Sequence, residues 1–203
     1  MDILGGMSSG GESPYLKWKT GDMSFYNGDN PLEFQYLQLD PATFLSGWGC
    51  YKQVSGYDFV WDQQFGVVGT KPEEEYKRAF SAWVLPQGLS RPLLWQNMTF
   101  AETQAFNKIL ALFWNDKDNN GDLLPVVKFT GAKKLQVGLG QSSELSFEFA
   151  KFAPRSNEFV IPSWYYEDEN DDNVESPNDG LSDLVNKQIN DNNNLLTDDD
   201  IPF

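Results

Sequence analysis

The chain has 203 residues, 30 Asp and Glu against 15 Lys and Arg, a formal net charge of −15 and no histidine. Without imidazole, Ser-His-Asp triads, Cys-His pairs and His-ligated zinc are all excluded, so any chemistry would run on carboxylates, lysine or tyrosine. The single cysteine, Cys50, excludes an internal disulfide and fits a reducing cytoplasm, and no apolar run reaches the ~18 residues of a membrane span.

Residues 1–14 lack the basic flank and long apolar stretch of a secretory signal and read as a flexible arm. Tyr15–Lys19 then alternates, placing Tyr15, Lys17 and Lys19 on one face of a strand and Leu16 and Trp18 on the other. Glu33–Asp40 alternates in the same way until Asp40-Pro41 stops it. Tyr51-Lys52 precedes a third strand, Tyr57–Trp61, in which Tyr57, Phe59 and Trp61 share a face. Arg78–Leu85 follows, and Arg91–Trp95 is shorter, with Pro92 placing it at an edge or a strand start.

One helix stands out. Thr99-x-x-Glu102 is a capping-box signature, and Phe106, Ile109, Leu110 and Phe113 follow at helical spacing while Glu102, Asn107 and Lys108 point away. Asn115 through Gly121 ends it. Asp116–Asp122 copies the first seven positions of an EF-hand loop, but the twelfth position is Val127 in an expected strand, so a polar turn is the better reading. Leu124–Thr130, Lys134–Leu139 and Leu145–Phe152 are the last expected strands. Short strands with one long helix midway give a mainly β fold with one inserted helix. That pattern is compatible with an OB-fold-like barrel and also with other α+β folds.

From Glu167 the pattern collapses into Asp, Asn and Ser. Residues 167–203 hold twelve acidic side chains against Lys187 alone, a net −11 of the total −15, which leaves −4 for residues 1–166. All but one of the 30 aromatic residues lie in that body. A core over 15–166 and a disordered, self-repelling acidic tail over 167–203 are therefore expected. The mild charge of the body leaves room for a local basic groove.

The chain closes on Asp198-Asp199-Asp200-Ile201-Pro202-Phe203. Phe203 joins an aromatic ring to a terminal carboxylate, Pro202 restricts the local chain, and the three Asp residues can lie along a basic ridge. A tail that served solubility alone would gain nothing from Ile-Pro-Phe. In these six residues, after an acidic linker, the chain resembles the bacterial and phage single-stranded DNA-binding proteins. The resemblance covers the tail and does not extend over residues 1–166.

The resemblance implies an OB-fold-like domain over 15–166 that binds single-stranded DNA in replication, recombination or repair, in the cytoplasm of a bacterium or of a phage's host. It implies that Asp198, Asp199, Asp200, Ile201, Pro202 and Phe203 recruit helicases, primases, nucleases or polymerase subunits, and that the tail competes with DNA for the binding groove. No catalytic residue, metal or cofactor is expected, and no membrane partner.

Single-strand binding needs rings for bases and cations for phosphates. The residues that supply them are Tyr15, Lys17, Lys19, Tyr51, Lys52, Tyr57, Phe59 and Trp61, together with Lys128, Lys133, Lys134, Lys151 and Arg155 in the more basic C-terminal half of the body. For each ring the competing reading is core, which is the commoner fate of an aromatic on a strand. Two other functions fit less well: a metal-dependent nuclease working with carboxylates alone, and an acidic DNA mimic. Binding to duplex DNA as well stays open.

Overall fold

The computed structural model describes residues 13–137 and 140–167. The expected arm up to residue 12, the tail beyond residue 167 and the tip at 198–203 lie outside the described residues. Ser13 and Pro14, assigned to the arm from sequence, are anchored: the Ser13 carbonyl accepts from Asn27 and Arg91, and the Pro14 carbonyl accepts from Leu94 N–H at 2.7 Å.

Strands β1 (Tyr15–Lys19), β2 (Ser24–Asn27) and β3 (Asn30–Leu32) form an antiparallel meander. Then come β4 (Tyr36–Leu39), a 3-10 turn over Pro41–Thr43, β5 (Leu45–Lys52), β6 (Gly56–Trp61), β7 (Lys77–Pro86) and β8 (Leu93–Asn97). Helix α1 (Phe100–Phe113) runs into a 3-10 segment over Trp114–Asn120 and is followed by the long hairpin β9 (Leu124–Val137) and β10 (Gly140–Ala153). The strands form one strongly curled half-barrel sheet in the order β10-β9-β4-β7-β8-β1-β2-β3, with β5 paired to β6 and β7. The helix α2 (Trp164–Glu167) belongs to a separate unit that begins at Pro162; in it Tyr165 packs against Trp164 and Tyr166 with ring centroids at 6.3 and 5.5 Å.

The uninterrupted Arg78–Leu85 run makes β7 the spine. One of its edges pairs with β5 along Lys77–Ser81 and with β4 along Val84–Pro86, and the other pairs with β8. The change of partner falls at the 3-10 turn, where the Asp40 carboxylate accepts from Ala42 N–H and Pro41 fixes the local φ. Register shifts at Ser146/Phe147 and Phe149/Lys151 bend the β9–β10 hairpin, and Gly131 (φ 126°) lets β9 pass through as one strand where two were expected. Gly138 and Leu139, at the end of the second expected strand, lie outside the described residues.

The inner face of the sheet carries Leu16, Trp18, Phe25, Leu37, Leu39, Phe80, Val84 and Trp95, all buried. Against it α1 lays Phe106, Ile109 and Phe113, as their spacing predicts, and Phe106 stacks on Phe80 at 4.3 Å. Each such side chain stabilises the fold by about 1.5–3 kcal/mol of transfer free energy.

Glu102 corrects the reading of the helix. Expected to point outward, it is 1% exposed. Its Oε1 accepts from Trp18 N–H (3.2 Å) and Trp95 Nε1 (3.0 Å), and its Oε2 from Asn97 Nδ2 (2.5 Å) and the Thr99 hydroxyl (2.9 Å). Thr99 is the N-cap residue, but its hydroxyl serves Glu102 instead of a helix N–H. Glu102 is thus a buried junction of β1, β8 and α1, with the exposed Thr99 bonded to it at the helix start. Burial pushes the Glu102 carboxyl up to about 7, against the pull of its donors.

Candidate nucleic-acid interface

The β5–β6 hairpin sets Gly47 opposite Trp61, Gly49 opposite Phe59 and Tyr51 opposite Tyr57. Directly opposed residues share a face, so the rings of β6 lie over the bare backbone of two glycines. A Cβ at Gly49 would stand 2.8 Å from the Phe59 ring, and one at Gly47 would stand 2.9 Å from the Trp61 ring. The space Gly49 leaves is therefore filled by the Phe59 ring, and that at Gly47 by the Val60 carbonyl and Trp61. Phe59 and Trp61 stack at 5.2 Å and 4°, Tyr57 stacks on Phe59 at 6.1 Å and 15°, and Tyr51 meets Tyr57 edge-on at 5.3 Å. Tyr51 and Tyr57 are 62% and 64% exposed, which makes this a surface ladder and not core.

The registers carry the same face across the sheet. On β7, Lys77 lies opposite Gly49 and Ala79 opposite Gly47, and Ser81 opposes Gln96 of β8. On β1, Leu16 sits beside Trp95 in the core, so Tyr15, Lys17 and Lys19 point outward, and Lys17 opposes Tyr26 of β2. Lys19 Nζ stands 3.7 Å over the Tyr26 ring and Lys17 Nζ 5.8 Å from the Tyr15 ring. Six rings and three lysines (Lys17, Lys19, Lys77) thus occupy one outward face. From β6 through β2 its strand positions include no Asp or Glu. Asp22, in the β1–β2 turn, accepts from the Tyr26 hydroxyl at 2.9 Å and raises its pKa.

The carboxylates of the hairpin lie on the reverse side. Asp58 opposes Cys50, and its Oδ2 accepts from Lys52 Nζ at 2.6 Å and from the Tyr76 hydroxyl at 2.7 Å. The hydrogen bond to Asp58 holds the Lys52 ammonium above its usual range and pushes the Tyr76 phenol up to about 12. Alongside, Arg78 pairs with the buried Asp62 carboxylate at 2.7 Å and its guanidinium lies 4.9 Å over Trp48.

Of the residues proposed from sequence, Tyr15, Lys17, Lys19, Tyr51, Tyr57, Phe59 and Trp61 therefore share one surface, whereas Lys52 sits behind it. The C-terminal cations lie on other strands of the sheet, β9 and β10, or just beyond them. Arg155 is held by Asp40 at 2.6 Å and lies over Phe159, and Lys133 shares Glu144 with Lys108. Lys128 opposes Glu148 and Tyr36, Lys151 lines a groove with Tyr36, Gln87 and Val126, and Lys134 opposes the buried Ser143.

Tyr26 and Lys77 were not legible as site residues. Tyr26 lies in a four-residue strand with no alternation to read, and Lys77 lies one residue before the apolar run that marks β7. Asp116–Asp122 falls mainly in the 3-10 segment, where Lys117 pairs with Asp118 at 2.6 Å. Among the described residues no group of three or more Cys, Asp or Glu is arranged to hold a metal, and no helix is long and apolar enough to cross a membrane. Set against known protein families, curated proteins and solved structures, the chain matches none of them.

Proposed function

We propose that the protein binds single-stranded DNA without sequence preference, over the face that runs from the β5–β6 ladder to β1. The observation that carries this reading is the sorting of charge. A chain of net −15 keeps every carboxylate off the strand positions of one broad face and puts lysines and partly exposed rings there. Neutral rings with scattered cations suit bases for stacking and phosphates for pairing. Stacked, partly exposed rings suit unpaired bases, so a duplex of equal charge is bound more weakly.

The connectivity supports an OB-fold reading. Taken together, β4 and β5 act as a bent first strand, β7 and β8 as the second and third, α1 as the bridging helix, and β9 and β10 as the fourth and fifth. Where an OB barrel closes its fifth strand in parallel on its third, β1 takes the parallel place on β8. In OB folds the outer face of these central strands is the oligonucleotide surface.

The resemblance in Asp198–Phe203 supports recruitment of DNA-processing proteins such as helicases, primases, nucleases or polymerase subunits. The same resemblance supports a role in bacterial or phage DNA replication, recombination or repair. The net −11 of residues 167–203 would compete with phosphate for the lysines, most strongly at low salt. Titration of the full-length protein with oligo(dT), read by tryptophan fluorescence, tests the reading: saturable quenching supports it, and no binding at low salt sinks it.

A further inference from the structure

Within the single-strand reading just given, we infer that the β1–β2 hairpin is a second subsite for the same strand. A bound oligonucleotide then crosses the sheet from the β6 ladder to Tyr26 instead of running along the β5–β6 hairpin alone. Four observations point there. Tyr15 and Tyr26 each offer a base-sized ring with a lysine ammonium close by, Lys17 Nζ at 5.8 Å from the Tyr15 centroid and Lys19 Nζ at 3.7 Å over the Tyr26 centroid. Parallel pairing of β1 to β8 turns both toward the side of the sheet that holds the ladder. The strand positions between carry no carboxylate: beside the buried Ala79, Ser81 and Leu94, Lys77 on β7 is exposed, and Gln96 on β8 and Met98 just beyond it are half-buried. Finally, Met98 adjoins the ladder itself, its sulfur lying 3.2 Å from where a Gly49 Cβ would be.

Five strand spacings separate β6 from β2, about 24 Å along the face, so a single strand must extend over on the order of four nucleotides or more to touch both platforms. Shorter oligonucleotides can occupy only one of them. The subsite thus predicts a length threshold, and it predicts that Lys17 and Lys19 contribute only beyond it.

The experiment is a length series of oligo(dT), from two to twelve nucleotides, titrated into full-length wild type and a Lys17→Gln, Lys19→Gln double variant. Both substitutions keep a polar side chain on the outward face and leave the strand's backbone pairing intact. For long oligonucleotides the variant should bind more weakly, and its log–log salt slope should be shallower by about 1.4, two phosphate contacts at about 0.7 each. For dimers and trimers, which the ladder holds alone, wild type and variant should bind alike. An equal loss at every length, or none at any length, overturns the second subsite while leaving single-strand binding intact. Failure of wild type to bind any oligonucleotide overturns the proposed function itself.

Discussion

Tyr57 stands 64% exposed, stacks on Phe59 and meets Tyr51 edge-on, so its ring is held by its neighbours while most of it stays open to solvent and to a base. Tyr57→Ala should cost about 1–3 kcal/mol of affinity for oligo(dT). The fold should lose no more than about 0.5 kcal/mol, as for surface substitutions in general. Fluorescence titration beside a thermal melt checks both; unchanged affinity would remove Tyr57 from the site. Glu102 gives a prediction of opposite kind, because its effect is on folding. Its carboxyl rises from 4.5 in the unfolded chain to about 7 in the fold, so the folded state holds its proton more tightly. Glu102 therefore lowers stability as pH rises from about 4.5 to about 7, at most by about 1.4 kcal/mol per pH unit. Denaturant unfolding at pH 5 and pH 7.5 should show this decline, and Glu102→Gln should flatten it. A slope untouched by the substitution would contradict the assignment. Helical spacing placed Glu102 outward because it knows only the helix's own apolar stripe. The donors that bury it come from Trp18 and Trp95, 84 and 7 residues away, and no local pattern records them.

The β5–β6 hairpin shows the same limit at the level of elements. The alternation of Tyr57, Phe59 and Trp61 was legible, and so was their common face. Their partner strand β5 was not, since Gly47 and Gly49 break any apolar pattern and read as turn residues. At Gly49 a Cβ would meet the Phe59 ring, and at Gly47 it would meet the Val60 carbonyl and the Trp61 backbone before the Trp61 ring. Gly49→Ala should displace the Phe59 ring, destabilise the fold by about 1–3 kcal/mol as overpacking does, and weaken oligo(dT) binding. Lys52→Ala on the same strand is the contrast. It breaks the pair with Asp58, whose partners are 41% and 37% exposed and solvent-screened, so the fold should lose little. Because Lys52 lies behind the ladder, DNA affinity should stay as in wild type. If Lys52→Ala weakens binding as much as Gly49→Ala does, the reverse side is the binding side and the face is wrongly chosen.

For the molecule as a whole, composition alone separated an aromatic body from an acidic tail. Individual strands were legible where apolar and polar residues alternate, as in β1, β4 and β10, or where an apolar run persists, as in β7. The sheet order was not, because pairing β1 with β8 and β4 with β9 joins segments about 80–90 residues apart. That pairing is what gathers Lys17, Lys77 and the ladder on one face, so the site was legible as separate pieces and not as a surface. Charge is the property of the whole chain that bears on function. Removing residues 167–203 takes away a net −11, and oligo(dT) affinity should rise, most at low salt. Gel shifts of full-length and truncated protein at two salt concentrations check this, and equal affinities would rule out competition by the tail. Removing residues 198–203 alone should instead abolish capture of DNA-processing proteins from a bacterial lysate while leaving oligo(dT) binding in place.

The most direct test of single-strand binding is the salt dependence of oligo(dT) affinity for the full-length protein, with a duplex of equal length beside it. Three face lysines predict saturable quenching with a log–log slope of about −2, and markedly weaker binding of the duplex. Failure to bind the single strand at low salt, or duplex binding as tight as single-strand binding, would contradict it.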